Sequence, residues 1–190
     1  MEAPTGIKAH LGCWHRVIPG FVHVDLCDLP HIDHKSGIDR LPFFADGSVQ
    51  LIYCSHALEY FDRDQAREVL AEWRRVLQPG GELRLAVPDF EALIRVYQQS
   101  GELARVLGPL YGKMGIITPQ GPATLYHKTT YDERSLAALL QDCGFERPAR
   151  WDWRSTEHAH IDDHSQAYFP HMQKDSGILV SLNLRAYKQP

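Results

Sequence analysis

Residues 73–89 read WRRVLQPGGELRLAVPD. The stretch is the end of an amphipathic helix, a Pro79-Gly80-Gly81 break and a short apolar strand that stops at Pro88-Asp89. Upstream, Ala66, Val69, Leu70, Trp73 and Leu77 recur at i, i+3, i+4, i+7 and i+11 and form one apolar stripe. Asp62 is a natural N-cap and Gln65, three residues on, completes a capping box, so a helix is expected over 63–78. Pro79 stops it, and Glu82 to Val87 follow as a strand.

Further outward, Gln50 to Ser55 (QLIYCS) has the continuous apolar character of a strand inside a parallel sheet. Ile7 to Cys13 and Phe21 to Leu26 are strand candidates joined by WHRVIPG, too short for the crossover helix of a parallel βαβ unit. Pro30 to Lys35 are a weaker strand. Downstream, Phe90 to Leu110 read as two helical pieces broken near Ser100-Gly101, and Tyr111 to Lys128 as a long binding loop. A helix over 130–143 is expected, capped by Thr130 and Glu133, with Leu136, Leu139 and Leu140 inward and Gly144 after its end. Arg150 to Arg154 and Ile178 to Tyr187 complete the strands. This order predicts an α/β fold. Its sheet is Rossmann-like, seven-stranded and mostly parallel, the last strand is antiparallel, and the N-terminal helices are reduced.

The chain has 190 residues, enough for one domain over 1–190. Hydrophobic content of 44% and charged content of 23% are those of a globular domain. A net charge of −4 argues against a nucleic-acid backbone as partner. No apolar run is long enough for a membrane span, and MEAPTGIKAHLG lacks the basic and apolar regions of a secretory signal. Cys13, Cys27, Cys54 and Cys143 form no CxxC pair, so a reduced, cytoplasmic protein without a cysteine–zinc site is expected.

In such a sheet ligands bind at the carboxyl ends of the strands. The chain places Leu11-Gly12-Cys13 after the first, Asp25 after the second, Ser55-His56 after the fourth and Asp89 after the fifth. A glycine lets backbone approach a ligand, and a strand-end carboxylate accepts hydrogen bonds from ribose hydroxyls. The tract Glu157 to His164 (EHAHIDDH) is metal-capable, with His158, His160 and Asp162 on one face if extended. Its spacing matches no defined zinc signature, so no metal is expected, and Asp162 or His164 is instead a candidate for substrate contact.

Together, residues 8–26 (KAHLGCWHRVIPGFVHVDL), 39–61 (DRLPFFADGSVQLIYCSHALEYF) and 127–146 (HKTTYDERSLAALLQDCGFE), with the PGG segment, resemble a compact branch of the class I S-adenosylmethionine (SAM)-dependent methyltransferases of type 11. The resemblance implies SAM as cofactor and methyl transfer to a small-molecule or sugar-like acceptor, or a methyltransferase-like binding module that has lost catalysis. By position it implies a cofactor site of Leu11, Gly12, Cys13, Asp25, Asp39 (or its neighbour Ile38), Ser55 and His56. Gly12 would lie under the methionine portion, Asp25 on the ribose and Asp39 near the adenine. His56, His127 and Tyr131 are the candidate catalytic bases, needed where the acceptor is a hydroxyl. The family's second glycine is Trp14 here, whose indole would fill the cofactor cleft or turn elsewhere. A small-molecule acceptor is the expected partner, with neither nucleic acid nor membrane.

Overall fold

A computed structural model describes residues 6–118 and 121–189. The N-terminal segment read for a signal lies partly outside these residues. The strands are β1 (Ile7–Leu11), β2 (Val22–Asp25), β3 (His34–Lys35), β4 (Val49–Ser55), β5 (Leu77–Pro88), β6 (Met114–Thr118), β7 (Gly121–Leu125), β8 (Phe145–Arg150), β9 (Tyr168–Phe169), β10 (Ile178–Leu179) and β11 (Ser181–Lys188). The helices are α1 (Arg63–Val76), α2 (Phe90–Ser100), α3 (Ala104–Tyr111) and α4 (Glu133–Asp142).

Seven strands form the main sheet in the order β3-β2-β1-β4-β5-β11-β8. β11 runs antiparallel to both β5 and β8, and the remaining pairs are parallel. This is the expected mostly parallel sheet with its last strand reversed. The strand order turns back at β1–β4, the topological switch point where such sheets bind ligands. Among the described residues no helix lies between β1 and β4, so the N-terminal half is reduced as expected.

Alternation along the strands separates two faces. Ala9, Leu11, Val24, Ile52, Cys54, Leu83, Leu85, Val87, Leu182 and Leu184 point to one, where Ala66, Val69, Leu70, Trp73 and Val76 of α1 and Leu136 and Leu140 of α4 cover them. The Trp73 indole is fully buried and donates its N–H to the Ile38 carbonyl at 2.7 Å. His10, His23, Leu51, Tyr53, Ala86, Ser181 and Asn183 are buried on the other strand positions. Here the β1–β2 loop (Ile18, Phe21) and the segment after β8 (Trp151, Trp153, Ile161) take the place of helices.

Several boundaries differ from expectation. α1 has the Asp62–Gln65 capping box but stops at Val76, because Leu77 turns extended and pairs with Val49. α4 is capped by Asp132 with Ser135, not Thr130 with Glu133; the Asp132 carboxylate accepts the Ser135 N–H at 2.7 Å. The strand expected over 150–154 lies instead at Phe145–Arg150, and Trp153–Ser155 is a 3-10 turn begun by Asp152. The 178–187 strand is interrupted: Ile178–Leu179 pair with β9 and Ser181 onward joins the main sheet. The 111–128 loop contains a hairpin of β6 and β7, with residues 119 and 120 between them outside the described set.

Candidate active site

The carboxyl ends of β1, β2 and β4 meet at one cleft. Gly12 has φ +67°, and a Cβ there would lie 2.8 Å from the Ala57 Cβ, so only glycine lets the two turns approach. The Gly12 N–H donates to the Val24 carbonyl, and the next turn swings Trp14 to φ 45°. Asp25 is buried at the end of β2. Its two oxygens accept the backbone N–H groups of Trp14 and Cys27, each at 2.8 Å. These bonds fix the carboxylate, and each oxygen retains a lone pair for a ligand. His56, just past β4, has φ 53°, an uncommon conformation for a residue with a Cβ. Its neighbour Trp14 shares that conformation, so two strained backbone positions flank one cleft.

Two chambers open from this cleft. One, about 540 Å³, has Asp25, Ile38, Asp39, Ala57 and Phe61 on its walls. The other, about 450 Å³, has Cys13, Trp14, Arg16, Ser55, Lys113 and His164. Gly12, His56, Tyr60, Met114 and His127 line both and form the junction. The Trp14 indole is half exposed, packs edge-on to His15 at 4.4 Å and belongs to the smaller chamber, so it does not fill the Asp25 chamber. The β6–β7 hairpin supplies Met114, Ile116, Thr124 and Leu125 to the larger chamber's wall.

Behind the junction three titratable side chains are buried together: Glu59, His56 and His127. His56 places Nε2 3.0 Å from Ser181 Oγ and Nδ1 3.6 Å from Glu59 Oε1. His127 places Nδ1 3.0 Å from the Pro109 carbonyl and Nε2 3.7 Å from the same Glu59 oxygen. Gly112, at φ 50°, abuts the His127 ring where a Cβ would collide with it. Burial, then the neighbouring His164 and His127, holds His56 well below the usual imidazole range. Burial likewise lowers His127, against the pull of the Pro109 carbonyl. Glu59 is completely buried with no hydrogen bond to either carboxyl oxygen, and burial raises it from the usual 4.5 to about 8. At neutral pH the junction therefore holds neutral imidazoles.

Of the residues singled out in the sequence, Gly12, Cys13, Asp25, Asp39, Ser55, His56 and His127 line one or both chambers. Leu11 is in the core beneath them. Tyr131 lies apart: it is buried among core residues, bridges to Asp89 and borders a separate groove with Arg63 and Arg67. The EHAHIDDH tract does not converge. His158 is buried against Tyr53 and Phe21, whereas Asp162 pairs with Lys174 at the surface. Among the described residues no three metal-capable side chains cluster as ligands. His164 does reach the smaller chamber. Sequence reasoning missed Glu59 and Met114: the first reads as an ordinary exposed acid in ALEYF, and the second lay in an apparent loop.

A family model described as the methyltransferase domain matches residues 18–85. A SAM-dependent methyltransferase from Thermotoga maritima is 16% identical, with a TM-score of 0.55 over 99% of this chain and 84% of its own. The Burkholderia thailandensis 1,6-didemethyltoxoflavin-N1-methyltransferase, solved with its substrate and S-adenosylhomocysteine, is 14% identical, with a TM-score of 0.54 over 97% of this chain and 72% of its own. A complex between the Haloferax volcanii Trm112 methyltransferase activator and a methyltransferase matches at 14% identity and a TM-score of 0.54, over 97% of this chain and 83% of that one. No curated protein matches. Among the described residues no helix is long and apolar enough to cross a membrane.

Proposed function

We propose that this chain is a class I SAM-dependent methyltransferase, a reading supported by its fold and its match to the methyltransferase domain, and that it transfers a methyl group to a small-molecule acceptor held in the smaller chamber. The observation that carries the reading is the pair of chambers meeting at Gly12, His56, Tyr60, Met114 and His127. One end is built for a nucleoside, the other is sized for a small molecule.

The residues present fit SAM. The Gly12 turn leaves room that a Cβ would fill, the Asp25 carboxylate stands ready for ribose hydroxyls, and Ile38, Ala57 and Phe61 offer an apolar slot for an adenine beside Asp39. When bound, SAM supplies a methyl already activated by its sulfonium. The protein's task is then to align the acceptor and keep water out. Tyr60 and Met114 narrow the junction, and His127 packs edge-on against Tyr60 at 4.7 Å. His56 and His127 line both chambers, and their rings would shape the junction at which the acceptor meets the methyl donor. Arg16 and Lys113 on the outer wall favour an acceptor with polar or anionic substituents.

The test is calorimetric titration with S-adenosylhomocysteine. Micromolar binding that weakens at least about tenfold in Asp25→Ala is expected, the loss of two charge-assisted hydrogen bonds. A folded protein that binds neither SAM nor S-adenosylhomocysteine would overturn the reading and favour a binding module without catalysis.

A further inference from the structure

Glu59 is completely buried, yet neither carboxyl oxygen has a hydrogen bond and, among the described residues, no lysine or arginine pairs with it. A carboxyl so placed needs an explanation. The surrounding network supplies one, because it assigns the protons on both neighbouring rings.

For His56 the assignment runs through four groups. Asn183 Nδ2 donates to the Ser165 carbonyl at 2.9 Å, so Asn183 Oδ1 is the atom that faces Ser181. The Ser181 hydroxyl donates to that Oδ1 at 2.8 Å. Its oxygen must then accept from His56, so His56 carries its proton on Nε2 and leaves Nδ1 bare. For His127 the step is shorter. Nδ1 faces the Pro109 carbonyl, which can only accept, so the proton is on Nδ1 and Nε2 is bare. Both bare nitrogens face the same Glu59 Oε1, at 3.6 and 3.7 Å. Three lone-pair-bearing atoms gathered in so buried a place repel unless a proton lies among them.

We propose that Glu59 carries this proton and shares it with His56 Nδ1 and His127 Nε2, acting as a positioning residue that orients both rings at the junction of the two chambers. The proposal deepens the methyltransferase reading and rests on it for the meaning of the junction. Its consequence is charge control. With the proton on Glu59, all three side chains are neutral. Were Glu59's proton passed to a ring, the junction would hold an imidazolium, a charge that would disfavour a cationic cofactor in the chambers it borders. The other titratable groups facing Glu59 are Cys54 of β4, Tyr60 of its own turn and Tyr131 from the segment after β7, all neutral near pH 7, and His164 lies beyond His56 at 5.2 Å. The burial that lifts Glu59 to about 8 agrees with the assignment.

The test is long-range proton–nitrogen NMR of the imidazoles in the wild type and in Glu59→Gln, with S-adenosylhomocysteine titration alongside. At pH 7 His56 is expected as the Nε2–H tautomer and His127 as the Nδ1–H tautomer. Raising the pH should shift both bare nitrogens at one common midpoint near 8, a step absent in Glu59→Gln, whose amide still offers a donor. The opposite tautomer on either ring, or a common step that persists in Glu59→Gln, overturns the proposal. The wild-type titration decides by itself should the variant not fold: two rings with independent midpoints also overturn it. A wild type that shows the shared step but binds no S-adenosylhomocysteine would bring down the methyltransferase reading and leave the proton sharing standing.

Discussion

The two faces of the central sheet are built on different physics. The α1–α4 face is closed by apolar side chains alone, with Trp73, Leu70, Leu136 and Leu140 packed on Ile52, Leu83 and Leu85. Its energy comes chiefly from area removed from water, and its titratable members, Cys54 and Tyr131, are raised by burial and stay neutral near pH 7. The opposite face buries His10, His23 and Tyr53 under a segment of turns that carries His158 and Asp163. There, every buried polar atom needs a partner, and the folding energy depends on whether it finds one. The difference teaches where a reduced fold economises. Without a helix between β1 and β4, the strand positions that would otherwise meet it carry polar rings, and residues 151–169 are tied down over them by specific bonds.

The largest effect is expected where the apolar face is opened. Trp73→Ala removes a fully buried indole and its hydrogen bond to the Ile38 carbonyl, and should cost about 3–5 kcal/mol in urea unfolding. Because no ionisable group is involved, the loss should be the same at pH 6 and pH 8. A loss that changed with pH would break the contrast between the faces.

The polar face gives a smaller and more local answer. Tyr53 donates its hydroxyl to Asp163 Oδ2 at 2.5 Å, and Asp163 Oδ1 takes the Ser165 N–H. Tyr53→Phe leaves one buried carboxylate oxygen short of a donor and should cost about 1–3 kcal/mol. The signature is regional: amide exchange should quicken in 151–169 and stay unchanged in α1. Uniform quickening would mean that this segment is no separate layer.

These faces were unequally legible in the sequence. The apolar face shows in local periodicity: the α1 stripe, the Asp62–Gln65 box and the PGG stop are readable within one window. The Thr130–Glu133 cap of α4 was misplaced by two residues because Thr130 and Asp132 are both capping types, and nothing local ranks them. The polar face was illegible. His10 and His23 alternate with apolar residues and so read as solvent-facing, and Tyr53 sits in a run that reads as uniformly apolar, so its polar partner Asp163, 110 residues on, leaves no local trace. The same divide runs through the site. Gly12, Asp25 and His56 follow from the rule that ligands bind at strand carboxyl ends. Glu59 follows only from its burial. Met114 follows only from a hairpin whose second strand contains Gly121 and Pro122, residues that hide strands.

The smallest effect tests the pH dependence that the buried rings of the polar face should carry. Burial holds His10 well below the usual 6.5 and also lowers His23 and His158. For a base depressed by folding, the unfolded chain binds the proton first. Stability is therefore full above about 6.5 and falls as the pH drops below it, toward the lowered folded values. His158 is the sharpest probe, since neither ring nitrogen has a hydrogen bond, Nδ1 lying 3.9 Å from Glu157, and the ring packs between Phe21 and Tyr53 at 6.1 and 4.4 Å. His158→Phe keeps the ring stacking and removes both the orphan atoms and the titration. At pH 8 it should change stability by under about 1 kcal/mol in either direction. At pH 5 it should be more stable than the wild type, because one of the groups that pulls the unfolded state down has gone. Urea midpoints at the two values decide it. Equal differences at pH 5 and pH 8 would mean that His158 is hydrated and titrates freely, and that this layer is wetter than the packing implies.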